Sequence, residues 1–453
     1  MITYLAIPII FFVGYFIIKK YNTQSVLLLA GLLMIALGVL TGHEEFMPKG
    51  GKPTGSVIVD FFEVIKVISS STLAKLGLII MAVGGFSKYM SHIGAANAMV
   101  KIATKPLSHI KNPYLVLAMA YVTGQLINIF IPSATGLALL LLVAMYPVLV
   151  GVGCNPAAAA AVVATTGCLD LGPASSAANK AAEVAGIDVA TYFVSYQMIV
   201  AGVAMFVIAG LHFVCQRYFD RKDAENGIEH DFNLEMKEQR EVPKWFAILP
   251  VLPLLLLLTF SKFAITSIKM NVVTAMFIAL FVSMVADYIV TRDGKSVAAS
   301  LKVYLDGMGA VFASVVSLII SAQVFVTGLK SIGFISMLLN SASSLGFGYL
   351  AMVLVLVLII TVVTLLSGSG NASFFSFSNL APDVAGQVGA SVAAVALPMQ
   401  LASGLMRSAS PVAGVVIACA GVANVSPIEL AKRTAIPMIG GLATVLIVSQ
   451  VLA

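Results

Sequence analysis

Few residues in this chain have side chains able to do chemistry on another molecule, and one of them stands apart. Arg407 lies in Gly404-Leu405-Met406-Arg407-Ser408-Ala409-Ser410-Pro411, where every neighbour is small, apolar or uncharged. It is the only base inside the apolar core deduced from the pattern. A guanidinium in such surroundings is expensive enough to be a functional candidate by default. Its planar fork suits one carboxylate held by two hydrogen bonds, with Ser408 and Ser410 close by in sequence. The bland alternative is that Arg407 snorkels or pairs with an acid, and the acid at hand is Asp170, in Gly167-Cys168-Leu169-Asp170-Leu171-Gly172-Pro173. An Asp170–Arg407 pair reads equally as a gate that a ligand replaces or as a charge lock, and Asp170 alone reads as a proton or cation site. At this level all three stand. Two short polar runs complete the set: Ser133-Ala134-Thr135-Gly136 and Ser367-Gly368-Ser369-Gly370-Asn371. Their hydroxyls and amide can meet either sign of charge, although Ser and Gly also serve tight helix packing.

The elements that must position these residues follow from composition. Of 453 residues, 60% are hydrophobic and only 10% charged, against roughly 25% charged in soluble domains. The mean hydropathy is +1.02. So few charges cannot clothe a water-soluble particle of this size. Soluble enzyme folds and nucleic-acid-binding folds drop out, the latter also because no Lys/Arg run with interleaved aromatics accompanies the net charge of +6. An all-α polytopic membrane protein remains. Full-length spans are expected at about 3–18, 25–41, 72–90, 191–215, 245–261, 271–290, 308–328 and 432–452. Three further apolar stretches, 113–150, 156–186 and 348–422, are interrupted at 131–136, at 167–173, and at 367–371 and 404–411. Turn chemistry inside apolar runs signals discontinuous helices.

With 113–150 and about 348–380 as re-entrant hairpins, loops 19–24, 101–112, 216–244, 291–302 and 421–433 share one face. That face carries 16 of the 26 Lys and Arg, which makes it cytoplasmic and both termini periplasmic. The first apolar run is followed, not preceded, by Lys19 and Lys20, so it reads as a retained span rather than a signal peptide. Cys154, Cys168, Cys215 and Cys419 show no CxxC and no metal-ligand spacing and read as small packing residues, with no metal site. His92 reads as interfacial, Lys180 with Glu183 as a solvated pair, Asp287 as facing cytoplasm, and Trp245 as an interface anchor.

The two halves match in order. Each has three spans, a short amphipathic stretch containing Ile-Gly, an interrupted hairpin, a broken helix and a last span. Each crosses five times, so the second must be inverted relative to the first. The expected organisation is a first inverted repeat at 1–215 (scaffold spans 1–90, hairpin and broken helix 113–186), a cytoplasmic linker at 216–244, and a second repeat at 245–453 (scaffold spans 245–328, hairpin and broken helix 348–422). Inverted repeats with paired broken helices characterise secondary transporters, with the site where the breaks meet near the midplane. Half-helix N-termini there suit a carboxylate, and C-terminal carbonyls suit a cation.

At these segments the chain resembles the C-type anaerobic C4-dicarboxylate carriers, within the ion-transporter superfamily that also holds the divalent anion/sodium symporters. The resemblance covers nearly the whole chain. Its specific stretches are Met90 to Ala96, Ser133 to Leu137, Gly368 to Ala372, Arg407 to Val416 and Ser426 to Thr434. It implies an elevator-type carrier of the bacterial inner membrane for succinate, fumarate and related acids, working as an exchanger or succinate exporter, often as a homodimer. Ion-coupled export or uptake is the other expected mode, with no cofactor and with Na+ and H+ as the candidate coupling ions. By the same resemblance Ser133, Ala134 and Thr135, with Ser369, Gly370 and Asn371, match the hairpin tips that touch substrate and cation in the symporters. Gly136, Arg407, Ser408 and Ser410 complete the expected substrate site. Ser133, Asp170, Ser367 and Asn371 are the candidates for ion coupling. The symporters carry Ser-Asn-Thr at both tips, and this chain has it at neither. A relative carrying another anionic or amino-acid substrate, and a Na+/H+ antiporter, are the competing readings. The chain has no GxSxG elbow and no HExxH, so an intramembrane hydrolase has nothing to stand on.

Overall fold

The computed structural model describes residues 2–19, 21–42, 46–48, 51–228, 240–260, 264–265, 267–334, 337 and 348–450. Among the described residues every regular element is helical. In chain order the helices of the first half are α1 (Ala6–Ile18), α2 (Thr23–Leu40), α3 (Val57–His92), α4 (Ala95–Thr104), α5 (Pro113–Asn128), α6 (Ala134–Ala144), α7 (Tyr146–Gly151), α8 (Pro156–Thr165), α9 (Ser176–Ala185) and α10 (Val189–Glu225). Those of the second are α11 (Leu252–Thr259), α12 (Val272–Thr291), α13 (Gly294–Ser331), α14 (Tyr349–Ser367), α15 (Gly370–Phe377), α16 (Ala381–Val388), α17 (Val392–Ala409), α18 (Gly414–Val422) and α19 (Pro427–Ser449).

Eight segments among the described residues are long and apolar enough to cross a membrane. Two of them, α3 and α13, run 36 and 38 residues, well beyond the spans expected at 72–90 and 308–328. The charged residues Asp60, Glu63 and Lys66 in α3, and Lys295, Lys302 and Asp306 in α13, lower the hydropathy of their first turns without stopping the helix. Carboxylates hold those turns instead, one within the first turn of α3 and one capping α13. Asp60 accepts from the N–H and hydroxyl of Thr54, both at 2.7 Å, and Asp293 accepts from the N–H groups of Lys295 and Ser296. Each rod also carries one five-residue π segment, at Leu73–Gly77 and at Phe312–Val316. The span expected at 245–261 is split. Lys244–Val251 is a 3-10 helix with Pro250 inside it, and α11 follows with Pro253 near its start, because each proline removes a backbone donor.

α2, α3, α12 and α13 form one packed group. The closest crossing is α2 on α13, where a Cβ added to Gly328 would lie 2.6 Å from the Gly31 carbonyl oxygen. The second group is built around α8, whose Ala157-to-Val163 run is fully buried on all sides. Such a run of small side chains lets α5, α18 and α19 approach the same helix. Of the four expected interruptions, three fall where helices stop. α5 ends at Asn128 and α6 starts at Ala134. α8 ends at Thr165 and α9 starts at Ser176. α14 ends at Ser367 and α15 starts at Gly370. The fourth is displaced. α17 continues through Gly404 and Arg407 to Ala409, and the chain opens only at Ser410–Ala413. Gly404 is a packing residue, since a Cβ there would lie 2.3 Å from the carbonyl oxygen of Cys168.

Candidate functional site

The two tips and the two breaks meet around one cavity of about 250 Å³. Ser133, Ala134 and Thr135 line it from the start of α6, Ser369, Gly370 and Asn371 from the start of α15, Ser176 from the start of α9, and Gly414 and Val415 from the start of α18. Four helix N-termini therefore face one space. The first turn of a helix has N–H groups with no intrahelical acceptor, and the aligned peptides place roughly half a positive charge there. The serines at the tips act as caps. Ser133 Oγ accepts from Gly136 N–H at 3.1 Å, and Ser369 Oγ accepts from Ala372 N–H at 3.2 Å. Gly368 makes the tight reversal before α15. Its φ is +72°, and a Cβ there would lie 2.7 Å from the carbonyl of Val412, so the tip packs backbone to backbone against the opening after α17.

Arg407 closes the cavity from the last turn of α17. Its Nη1 donates to Asp170 Oδ2 at 3.2 Å, and its Nη2 donates to Asp170 Oδ1 at 3.3 Å and to the Gly167 carbonyl at 2.7 Å. The Nε–H is buried and has no partner. The arginine side chain is 13% exposed and the aspartate 6%, so the pair is shielded from water without being sealed from the cavity.

Asp170 adopts a left-handed backbone, φ +45°, which is uncommon for a residue other than glycine. The carboxamides of three helices hold the loop there. Gln197 of α10 donates to the Asp170 carbonyl at 3.0 Å and accepts from Gly172 N–H at 3.0 Å. Gln400 of α17 donates to the same carbonyl at 3.3 Å and is itself held by the Tyr192 hydroxyl at 2.7 Å. Asn128, at the end of α5, accepts from Leu171 N–H at 3.1 Å and donates to the Ile131 carbonyl. Sequence reasoning passed over these three amides. The available signal was a fully buried Asn or Gln in an otherwise apolar helix, which must be hydrogen-bonded to be tolerated.

The other expected site residues scatter. Gly136 lines a neighbouring cavity rather than this one. Ser408 is fully buried inside α17, away from the cavity, with its hydroxyl unpartnered. Ser410 Oγ donates to the Leu365 carbonyl at 2.7 Å, and Ser367 Oγ accepts from Ser369 N–H at 3.2 Å, so both are committed to local structure. Arg407 is half-buried, and two other bases lie deeper. Lys180 and Arg433, read as a solvated residue and as part of a loop, are each 1% exposed. Lys180 pairs with Glu183 at 2.8 Å, and Asp287, read as facing cytoplasm, is buried against Arg240 at 2.6 Å. His92 is exposed at the end of α3, and Trp245 is exposed as well. All four cysteines are free and buried. In the connector between α7 and α8, burial pushes the Cys154 thiol up to about 12. No group of His, Cys, Asp and Glu among the described residues has the makings of a metal site.

A helical bundle with membrane-length spans, whose helix ends and one guanidinium surround a shielded cavity, defines a multi-pass membrane transport protein. The family described as the C4-dicarboxylate anaerobic carrier matches residues 1–453, and the chain belongs to that family. It is 36% identical over 450 residues to the probable anaerobic C4-dicarboxylate transporter DcuC of Vibrio cholerae serotype O1, covering 99% of this chain and 97% of the relative. It is 35% identical over 449 residues to the anaerobic C4-dicarboxylate transporter DcuC of Escherichia coli K12, covering 99% and 96%. Among solved structures the fold is similar to the YdaH transporter of Alcanivorax borkumensis (TM-score 0.64, 14% identity, 94% of this chain and 97% of that one). It is also similar to MtrF of Neisseria gonorrhoeae, from a class of antimetabolite efflux pumps (TM-score 0.60, 14% identity, 94% of each). At such identity the likeness speaks for the fold alone.

Proposed function

We propose that this protein is a secondary transporter that carries C4-dicarboxylates such as succinate and fumarate across the bacterial inner membrane, by exchange or ion-coupled movement. One observation carries the reading: four helix N-termini and the Arg407 guanidinium surround a single cavity. Oriented N–H groups and a planar cation answer a small dianion, and the two Nη groups that hold Asp170 are the fork a substrate carboxylate would take. Substrate carboxylate takes the place of Asp170 on the guanidinium, so the ion pair acts as a gate.

The same proposal includes two inverted repeats, 1–215 and 245–453, joined by 216–244, with both termini periplasmic. The matching order of elements and the similar lengths of the rods α3 and α13 support this. Scaffold spans 1–90 and 245–328 stay in place while the elements around the cavity move as an elevator, often in a homodimer. Asp170, with Ser133, Ser367 and Asn371, is the candidate region for Na+ or H+ coupling. The test is uptake of labelled succinate into proteoliposomes, with sodium, proton and counter-substrate gradients imposed one at a time. Saturable uptake stimulated by internal succinate or fumarate is expected. Uptake of amino acids in preference to dicarboxylates would move the substrate assignment, and leak without saturation would overturn the carrier reading.

A further inference from the structure

Beside the site lies a second cavity, of about 430 Å³, that shares Pro132, Ser133, Ser176 and Asn371 with it. Its opposite wall is made by the last turns of α3 and the middle of α13, through Ser87, Lys88, Ser91 and Ser314. Lys88 is the one charged residue among those lining this space. It is exposed, and no ion pair to it occurs among the described residues. Its stem is set close to α13, since a Cβ added to Gly307 would lie 3.0 Å from Lys88 Cβ.

We infer that Lys88 is a positioning residue for the transported anion: it draws the dicarboxylate into the second cavity and holds one carboxylate before the site takes the other. The inference rests on the dicarboxylate reading above. A dianion leaving water for a space with apolar walls needs a counter-charge along the way, and Arg407 is already neutralised by Asp170 until exchange occurs. A single cation in a confined cleft concentrates the field there and raises the local substrate concentration. Lys88 belongs to α3, within the spans proposed to stay fixed, so it serves only the face on which α3 ends. A residue that travelled with the site would serve both faces.

The experiment uses the full-length protein in proteoliposomes sorted by orientation, with labelled succinate presented to one face at a time in low and high KCl. For Lys88→Gln the KM at the face on which α3 ends should rise roughly five- to tenfold in low salt, and by less in high salt, where screening shortens the reach of the charge. The KM at the opposite face should keep its wild-type value, and Lys88→Arg should restore the first. Equal changes at both faces, or none at either, would overturn the inference while leaving the transport reading in place. A wild-type protein that moves no succinate would overturn the transport reading and this inference with it.

Discussion

Arg407 and Arg433 are both arginines paired with aspartates away from bulk water, and they are built for opposite ends. Arg433, near the start of α19, is 1% exposed and lines none of the cavities around the site. It donates to Asp220 at 2.7 Å, to Asp223 and to Gln216, and its guanidinium stacks over the Phe219 ring. All its partners lie on the far end of α10, so it rivets α19 to α10. Arg407 makes longer bonds to one aspartate, keeps a free Nε–H, and borders a cavity. Depth of burial therefore does not single out the functional cation. A fork that borders open space does, because only there can a ligand from the cavity reach it.

The two arginines should separate sharply on substitution. Arg407→Ala removes two or more charge-assisted hydrogen bonds of about 1.5–3 kcal/mol each, so succinate transport should fall by at least ~100-fold while the protein still elutes as a folded species in detergent. Arg407→Lys should fail nearly as badly, because an ammonium cannot present a planar fork; near-normal uptake by that variant would refute the two-bond role. Arg433→Ala should do the reverse. Removing the cation from beside two buried carboxylates is expected to cost about 3–5 kcal/mol, seen as a large drop in thermal midpoint, whereas the surviving protein should bind substrate with wild-type KM.

Asp170→Asn sharpens the contrast. With its ionic partner gone, Arg407 should take substrate more readily, lowering KM several-fold and slowing release. A lower thermal midpoint with unchanged KM would show a charge lock instead, and altered pH or sodium dependence would place Asp170 in coupling. The smallest effect belongs to the brace. Gln400→Leu leaves the Asp170 carbonyl and the Tyr192 hydroxyl short of a partner, so KM should rise modestly, with about 1–3 kcal/mol lost in a denaturation series.

Legibility in the sequence followed local cost. The tips were readable because Ser, Gly, Asn and Pro cluster there within apolar runs, and such a cluster weakens a helix more than any one of them does alone. Arg407 and Asp170 were readable because charges in such runs are rare. The amide brace was not, since Asn128, Gln197 and Gln400 have partners reached only after folding: Gln197 lies 27 residues from Asp170, and Gln400 lies 230 residues away. Gly404 was misread as an opening for a related reason. Glycine marks either a break or a close contact, and the carbonyl of Cys168 that decides between them comes from the other half of the chain. Lys180 and Arg433 were misplaced because hydropathy assigns charged residues to loops unless a partner is known.

The sequence by itself determined a helical membrane protein, the stretches that cannot remain continuous helix, and the rarity of charge among them. These are properties of single residues and their immediate neighbours, set by backbone sterics and the cost of exposing polar groups to lipid. Tertiary structure alone decided that four helix starts share one cavity, that Arg407 meets Asp170 across 237 positions, and which of the two arginines borders that cavity. Those depend on distances between segments remote in the chain, and a Coulomb or hydrogen-bonding term has no value until such distances exist.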